Sequence, residues 1–169
     1  MNKGEFEAAE GQDKDLSKAG NKSDLHILVV EDDFGDYDNL CRAVRNMPHL
    51  TATTDCARSI AEARQLLAQG DFDIALVDYC LGTETGIRFL KELGGRTGSI
   101  PAILLTGLDE LLPQNTALDA GAISCINKDD LSPTVLETTI RFALHTHKLE
   151  TSTQKIVDHF ISKNTEPAS

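Results

Sequence analysis

Short apolar runs alternate with amphipathic stretches along the chain, and this alternation predicts the order of strands and helices. Runs such as 27–30, 74–77 and 100–105 are apolar at every position apart from Pro101, which is typical of strands buried on both faces of a parallel sheet. The predicted strands cover residues 26–30, 49–55, 74–78, 100–105 and 122–126. The predicted helices cover residues 36–47, 58–69, 87–93, 111–120 and 132–144.

Five strand-to-helix alternations predict a doubly wound α/β domain, with a five-stranded parallel sheet covered on both faces by helices. The first 24 residues contain few large apolar side chains, so we expect a disordered acidic tail there. Near the other end, apolar residues recur at helical spacing and predict a C-terminal helical extension that continues or follows the last helix. These residues are Ile156, Val157, Phe160 and Ile161.

The amino-acid composition argues against several classes of function. The chain of 169 residues carries a formal net charge of -11 and no basic run, which argues against a nucleic-acid-binding surface. No apolar segment approaches the roughly 20 residues of a membrane span, and acidic residues occupy the place of a signal-peptide core, so we expect a cytoplasmic protein. The four scattered cysteines have no zinc-site spacing and are expected to be reduced and mostly buried.

Charged and polar residues follow four of the predicted strands at the point where each strand ends. Glu31 and Asp32 follow the first strand, Asp78 ends the third, Thr106 follows the fourth and Lys128 follows the fifth. In a parallel sheet these ends lie at one edge, where open α/β folds bind ligands. Clustered carboxylates need a cation, and oxygen ligands suit Mg²⁺. A carboxylate nucleophile with a metal, an ammonium and a hydroxyl predicts acceptance of a phosphoryl group.

These residues, in this order and spacing, resemble the receiver domain of two-component response regulators, from about His26 to His145. The resemblance implies the flavodoxin-like strand order 2-1-3-4-5, a receiver domain over residues 25–147, and a helical extension and tail over 148–169. It also implies that Asp78 accepts phosphate from a phosphohistidine. The implied Mg²⁺ ligands are Asp32, Asp78 and the backbone carbonyl of Cys80, with Glu31 acting through water. Thr106 and Lys128 would contact the phosphoryl group.

The resemblance further implies a histidine kinase or phosphotransfer protein as partner, and self-phosphorylation rather than multiple-turnover catalysis. We expect a single-domain regulator, because the residues beyond His147 are too few for an effector domain. The apolar stripe of the extension has three alternative uses: packing on its own domain, homodimerisation, or docking of the kinase.

Two positions depart from the receiver pattern. Cys125 stands where receivers usually carry an aromatic switch residue, and Asp129 replaces a cis proline, so we expect a trans peptide bond there. These departures keep open an alternative function, a phosphorylation-independent interaction module that uses the C-terminal helix. A phosphatase of the haloacid dehalogenase kind would need a second aspartate two residues after Asp78, where this chain has Cys80.

Three further acids lie near the first strand end. Asp33 is expected to be a solvated acid at a helix N-terminus. Asp36 and Asp38 lack the order of a calcium loop and are expected to be surface charges.

Overall fold

The computed structural model describes residues 24–107 and 114–164. The predicted acidic tail, apart from Asp24, lies outside the described residues, as does the start of the predicted helix 111–120. None of the helices in the described parts combines the length and the apolarity needed to cross a bilayer.

The central element is a five-stranded parallel sheet. Its strands are β1 (Leu25–Val30), β2 (Ala52–Ala57), β3 (Ile74–Asp78), β6 (Ala102–Thr106) and β7 (Ser124–Asn127). They lie in the spatial order β2-β1-β3-β6-β7, which is the 2-1-3-4-5 order of the five long strands that the resemblance implies. A short antiparallel hairpin, β4 (Cys80–Leu81) and β5 (Glu84–Thr85), follows β3 and was not predicted from the apolar pattern.

Five helices cover the two faces of the sheet. They are α1 (Phe34–Arg45), α2 (Ile60–Gln69), α3 (Gly86–Glu92), α4 (Gln114–Asp119) and α5 (Pro133–Asn164). Helix α1 begins two residues earlier than predicted, because the Asp33 side chain caps it by accepting the backbone N–H of Asp36 at 2.9 Å. Asp33 is exposed at the helix N-terminus, as expected, and its side chain also caps the helix.

Successive side chains of each strand pack into two separate apolar layers, one on each face of the sheet. Leu28 and Val30 of β1 face the layer formed with α2, α3 and α4, whereas Ile27 and Val29 face the layer formed with α1 and α5. All four side chains have no solvent exposure. Burial on both faces explains why β1 and β3 read as unbroken apolar runs in the sequence.

All four cysteines are free thiols, and the expectation that most are buried is wrong. Only Cys41 is buried, Cys56 and Cys125 are half-buried, and Cys80 is exposed. Cys80 is exposed because it lies on the hairpin, outside the sheet that forms the core.

Helix α5 is anchored to the domain by its first three turns. Leu136, Ile140 and Ala143 are fully buried against the sheet. Between them the buried carboxylate of Glu137 accepts the backbone N–H of His49 at 2.8 Å, in the loop before β2. This contact ties the last helix to an edge strand that is distant in sequence.

The same helix continues far beyond the sheet, which confirms the predicted C-terminal helical extension. Arg96 binds Glu150 with an N–O distance of 2.6 Å and holds the start of the extension against the turn at Gly95–Thr97. From residue 152 to 163 every described position is exposed. The apolar stripe of the extension therefore does not pack on the described residues of its own domain.

Replacing Glu137 by glutamine is expected to lower the midpoint of thermal unfolding at pH 7 by on the order of 5 °C. Burial raises the pKa of Glu137, but hydrogen bonds from the backbone of His49 and from Arg141 outweigh it and leave that pKa lowered. The contribution of the ionised carboxylate is thus complete above the unfolded-state pKa of 4.5 and is lost as the pH falls through the lower folded-state value.

Calorimetry from pH 7 to pH 3 tests this pH dependence. The difference between wild type and Glu137→Gln should close below about pH 4. The matched change Glu84→Gln removes a half-exposed pair with Arg88 and should shift the midpoint by less than about 2 °C. A difference for Glu137→Gln that persists unchanged to pH 3 would contradict an electrostatic origin.

Candidate functional site

The parallel register brings the predicted site residues to one edge of the sheet. Asp78 at the end of β3 lies opposite Leu105, so Thr106 extends one residue beyond it on the neighbouring strand. Thr106 in turn lies opposite Asn127, directly before Lys128. Glu31 follows β1 immediately, and its N–H donates to the carbonyl of Ala57 at 3.0 Å. Residues almost 100 positions apart in the chain therefore meet at this edge.

Three of the carboxylates form a compact cluster. One oxygen each from Glu31, Asp32 and Asp78 lies within 4.8 Å of the others. Glu31 and Asp78 are 2 % and 3 % exposed, whereas Asp32 is exposed. The buried pair is fixed by the sheet and Asp32 faces solvent, so an ion can enter from the Asp32 side.

Lys128 neutralises part of this charge. Its Nζ lies 2.9 Å from Glu31 Oε2 and 2.9 Å from Asp78 Oδ1. The lysine follows β7 in a short helical turn, Lys128–Asp130, which directs its side chain back across the strand ends. The structure thus brings Glu31, Asp32, Asp78 and Lys128 together, as the sequence predicts.

A fourth carboxylate at the site was missed. Asp36 is at the surface as expected, with its side chain 43% exposed, but its Oδ2 also lies 2.7 Å from Lys128 Nζ, a contact that the sequence did not predict. Asp36 lies in the first turn of α1, only four residues after Asp32, and this closeness to the predicted cluster was the available signal. Asp38, in contrast, pairs only locally with Arg42 on the exposed side of α1 and is a surface charge as expected.

Burial and neighbouring charge raise the pKa values of two site residues, for different reasons. Burial raises the pKa of Glu31 to about 7, against the hydrogen bond from Lys128, and the charge of Asp78 adds to the rise. For Lys128, burial lowers the pKa, but hydrogen bonds to Asp36, Glu31 and Asp78 outweigh burial and raise it overall. The ammonium therefore stays charged while the carboxylates compete for one cation.

The donor set fits Mg²⁺. Mg²⁺ prefers oxygen ligands at about 2.0–2.1 Å in octahedral geometry and keeps several waters, so two or three carboxylate oxygens on one side are sufficient. The cluster offers such oxygens from Glu31, Asp32 and Asp78, in a region where one ammonium faces an excess of acids. A divalent cation would relieve that excess.

The remaining predicted site residues lie at the margin of the cluster. Cys80 begins the hairpin β4–β5, two residues after Asp78, and Thr106 is half-buried at the end of β6. Their positions fit the implied roles of a carbonyl ligand and a hydroxyl donor, and both roles stay predictions.

The structure also describes the surroundings of Cys125 and Asp129, the two positions that depart from the receiver pattern. Cys125 is half-buried and packs beside the core layer under α2, α3 and α4. The peptide bond before Asp129 is trans, as predicted, and the Asp129 N–H donates to the side chain of Asn127 at 3.0 Å. This hydrogen bond starts the helical turn that carries Lys128.

Comparisons with known proteins agree with this geometry. The chain is 33% identical over 113 residues to the swarming motility regulation protein RssB of Serratia marcescens, covering 66% of this chain and 50% of that protein. It is 28% identical over 133 residues to the transcriptional regulatory protein BasR of Escherichia coli K12, covering 79% and 58%. The chain thus spans about half the length of these relatives.

Solved structures show the same fold. A CheY-like response regulator receiver domain protein from Methanospirillum hungatei superposes with a TM-score of 0.59 at 24% identity, over 76% of this chain and 99% of that one. A receiver domain protein from Clostridium thermocellum gives a TM-score of 0.63 at 22% identity, over 74% and 98%. The family model of the response regulator receiver domain matches residues 27–141. The chain therefore belongs to the response regulator receiver domain family, the receiving domains of two-component signal transduction.

Proposed function

We propose that the chain accepts a phosphoryl group on Asp78 from a histidine kinase or a phosphotransfer protein. The observation that carries this proposal is the contact of Lys128 with a buried Asp78 at 2.9 Å, beside the carboxylates of Glu31 and Asp32. An aspartate that merely ended a strand would not require a buried lysine contact and two neighbouring carboxylates. The combination of a nucleophile, a cation and a metal-binding cluster is what phosphoryl transfer to a carboxylate requires.

In the proposed reaction a carboxylate oxygen of Asp78 attacks the phosphorus of phosphohistidine. The new O–P bond forms as the N–P bond breaks, and the imidazole leaves with the electron pair and takes a proton from solvent. An ionised carboxylate needs no general base, so the site only has to orient the donor and stabilise charge on the transferred group. We propose that Lys128 supplies positive charge from one side and that Thr106, on the neighbouring strand, donates a hydrogen bond to a phosphoryl oxygen.

We propose Asp32, Asp78 and the backbone carbonyl of Cys80 as the Mg²⁺ ligands, with Glu31 acting through a water molecule. Bound Mg²⁺ would supply positive charge to the phosphoryl oxygens. Asp32 is the exposed member of the cluster and would hold the ion from the solvent side. Glu31, held by the N–H of Asp33 at 3.0 Å and by Lys128, keeps the buried side of the cluster rigid.

Incubation with acetyl phosphate and Mg²⁺ tests the proposal by intact-protein mass spectrometry. We expect one phosphoryl adduct that is stable in acid and labile in base, and its complete loss in Asp78→Asn. The same chemical change at an exposed position, Asp119→Asn, should leave the adduct at the wild-type level. A wild type that stays unmodified with acetyl phosphate and phosphoramidate would overturn the proposal, as would an Asp78→Asn variant that is still modified.

The signal would leave the domain through protein contacts in the cytoplasm, as a relay, a drain for phosphate or a regulator of the kinase. The exposed apolar residues of α5 support output through contacts, including homodimerisation through that helix. The single-domain interpretation stays a prediction.

A second function is favoured by one observation. Cys125 stands where a receiver usually carries a mobile aromatic ring, so the usual route from Asp78 to the partner surface is absent at this position. An interaction module that binds its partner without phosphorylation would have this property. Beryllofluoride, which mimics the phosphoryl group, should change partner affinity if Asp78 switches the domain and should leave affinity unchanged if it does not.

A further inference from the structure

One face of α5 carries a seven-residue repeat of exposed apolar side chains. Its four members lie seven residues apart and are between 39% and 58% exposed. They are Val135, Phe142, Leu149 and Ile156. The positions four residues after each of these form a second row of three threonines and one phenylalanine. They are Thr139, Thr146, Thr153 and Phe160.

The two rows together make a seam with a mean spacing of 3.5 residues, which spans 26 positions, or roughly 40 Å of helix. This seam lies on a different face of α5 from the residues that pack on the sheet, such as Leu136 and Ile140. It runs without interruption from the domain into the extension. A row of residues with a 3.5-residue repeat turns slowly around a straight helix, which has 3.6 residues per turn. A second helix keeps contact with such a row by winding around the first in a left-handed coiled coil.

The threonines are compatible with an apolar seam. The Thr139 hydroxyl donates to the carbonyl of Val135 at 2.8 Å, and the Thr153 hydroxyl donates to the carbonyl of Leu149 at 3.0 Å. Because these hydroxyls are satisfied within their own helix, the side chains can present methyl groups to a partner without burying an unpaired donor.

Charge identifies a second copy of the chain as the occupant. The chain carries a net charge of -11, so most of its surface repels another copy. The eight seam positions, in contrast, carry no charged residue, and the stretch 148–160 contains two lysines and two acids. This face of α5 is therefore one on which two copies of this acidic chain can meet without placing like charges in direct contact.

We propose that two copies of the chain associate through this seam as a parallel two-stranded coiled coil of their α5 helices. In parallel coiled coils, β-branched Ile or Val at one core position with Leu at the other favours two strands. In this seam one row holds three β-branched threonines, and the other row holds larger apolar residues. In the parallel register Leu149, Thr153 and Ile156 each meet the same residue of the second copy. This dimer specifies the homodimerisation included in the proposed output, but it does not depend on phosphorylation of Asp78. A missing adduct and a missing dimer are therefore separate outcomes.

Sedimentation velocity of the full chain tests the association. Concentrations between 1 and 100 µM would detect a dimer with a dissociation constant of about micromolar. We expect a concentration-dependent dimer, and Ile156→Lys should weaken it at least about 100-fold, since two buried isoleucines are lost per dimer. The matched variant Gln154→Lys places the same charge two residues away, outside the seam, and should dimerise as the wild type does. Thermal unfolding of each variant verifies that the domain stays folded.

Oxidative cross-linking tests the orientation, in a Cys80→Ser background that removes the exposed thiol. Thr153→Cys should form a disulfide-linked dimer, and Gln154→Cys should form much less. A monomer at all concentrations would overturn the proposal, and so would a dimer that Ile156→Lys leaves intact. A dimer in which Thr153→Cys does not cross-link would overturn the parallel register.

Discussion

Replacing Lys128 by alanine is expected to slow phosphorylation by acetyl phosphate at least about 100-fold, the usual cost of removing one charge-stabilising donor. The ammonium lies 2.9 Å from Asp78 and has no substitute among the described cations near the cluster. The same change leaves Glu31 and Asp78 buried together without their cation. We therefore also expect a loss of stability on the order of 2 kcal/mol, partly restored by Mg²⁺.

The rate of adduct formation and the midpoint of urea unfolding, each with and without Mg²⁺, measure the two effects of Lys128→Ala. Lys91→Ala removes an exposed lysine from α3 and should change neither quantity appreciably. Asp36→Asn removes only the more exposed partner of Lys128 and should keep the adduct. A Lys128→Ala rate within about threefold of wild type would contradict the role assigned to the ammonium.

Replacing Gly86 by alanine is expected to destabilise the fold by about 3 kcal/mol or more. A Cβ at Gly86 would lie 2.2 Å from the backbone carbonyl oxygen of Asp78 and 2.9 Å from Val77 Cγ1. Neither neighbour is the end of a flexible side chain, so the start of α3 must move away from β3. Because the displaced carbonyl belongs to Asp78, we expect weaker Mg²⁺ binding as well.

Urea unfolding and Mg²⁺ titration of Gly86→Ala measure this effect. Gly70 offers a matched control, because a Cβ there meets nothing within 4 Å and the backbone is extended. Gly70→Ala should stay within about 0.5 kcal/mol of wild type, or gain slightly from the stiffer unfolded chain. A Gly86→Ala variant as stable as Gly70→Ala would show that α3 can be shifted from β3 at no cost.

The sheet and most of the site could be predicted because their signals are local in the sequence. Residues 27–30 of β1 and 74–77 of β3 are buried on both faces and are all apolar, so the run itself identifies the element. Glu31, Asp78 and Lys128 directly follow or end such runs. Since parallel strands end at one edge, their convergence follows from the fold class.

Other features could not be predicted because they depend on contacts between distant elements. The role of Asp36 arises only when the first turn of α1 meets the turn after β7, more than 90 residues later. The hairpin β4–β5 is too short to leave an apolar pattern. The near contact of Gly86 with Asp78 is set by how closely α3 approaches β3.

The sequence by itself determined the fold class, the edge of the sheet at which chemistry is expected, and the carboxylates that cluster at that edge. Only the tertiary structure decided which acids share Lys128 and which face of α5 stays uncovered. The physical reason is that periodicity reports which side of an element is apolar, whereas it does not report what packs against that side. Phe142 and Ile140 are both apolar residues of α5, yet one is 56% exposed and the other is fully buried.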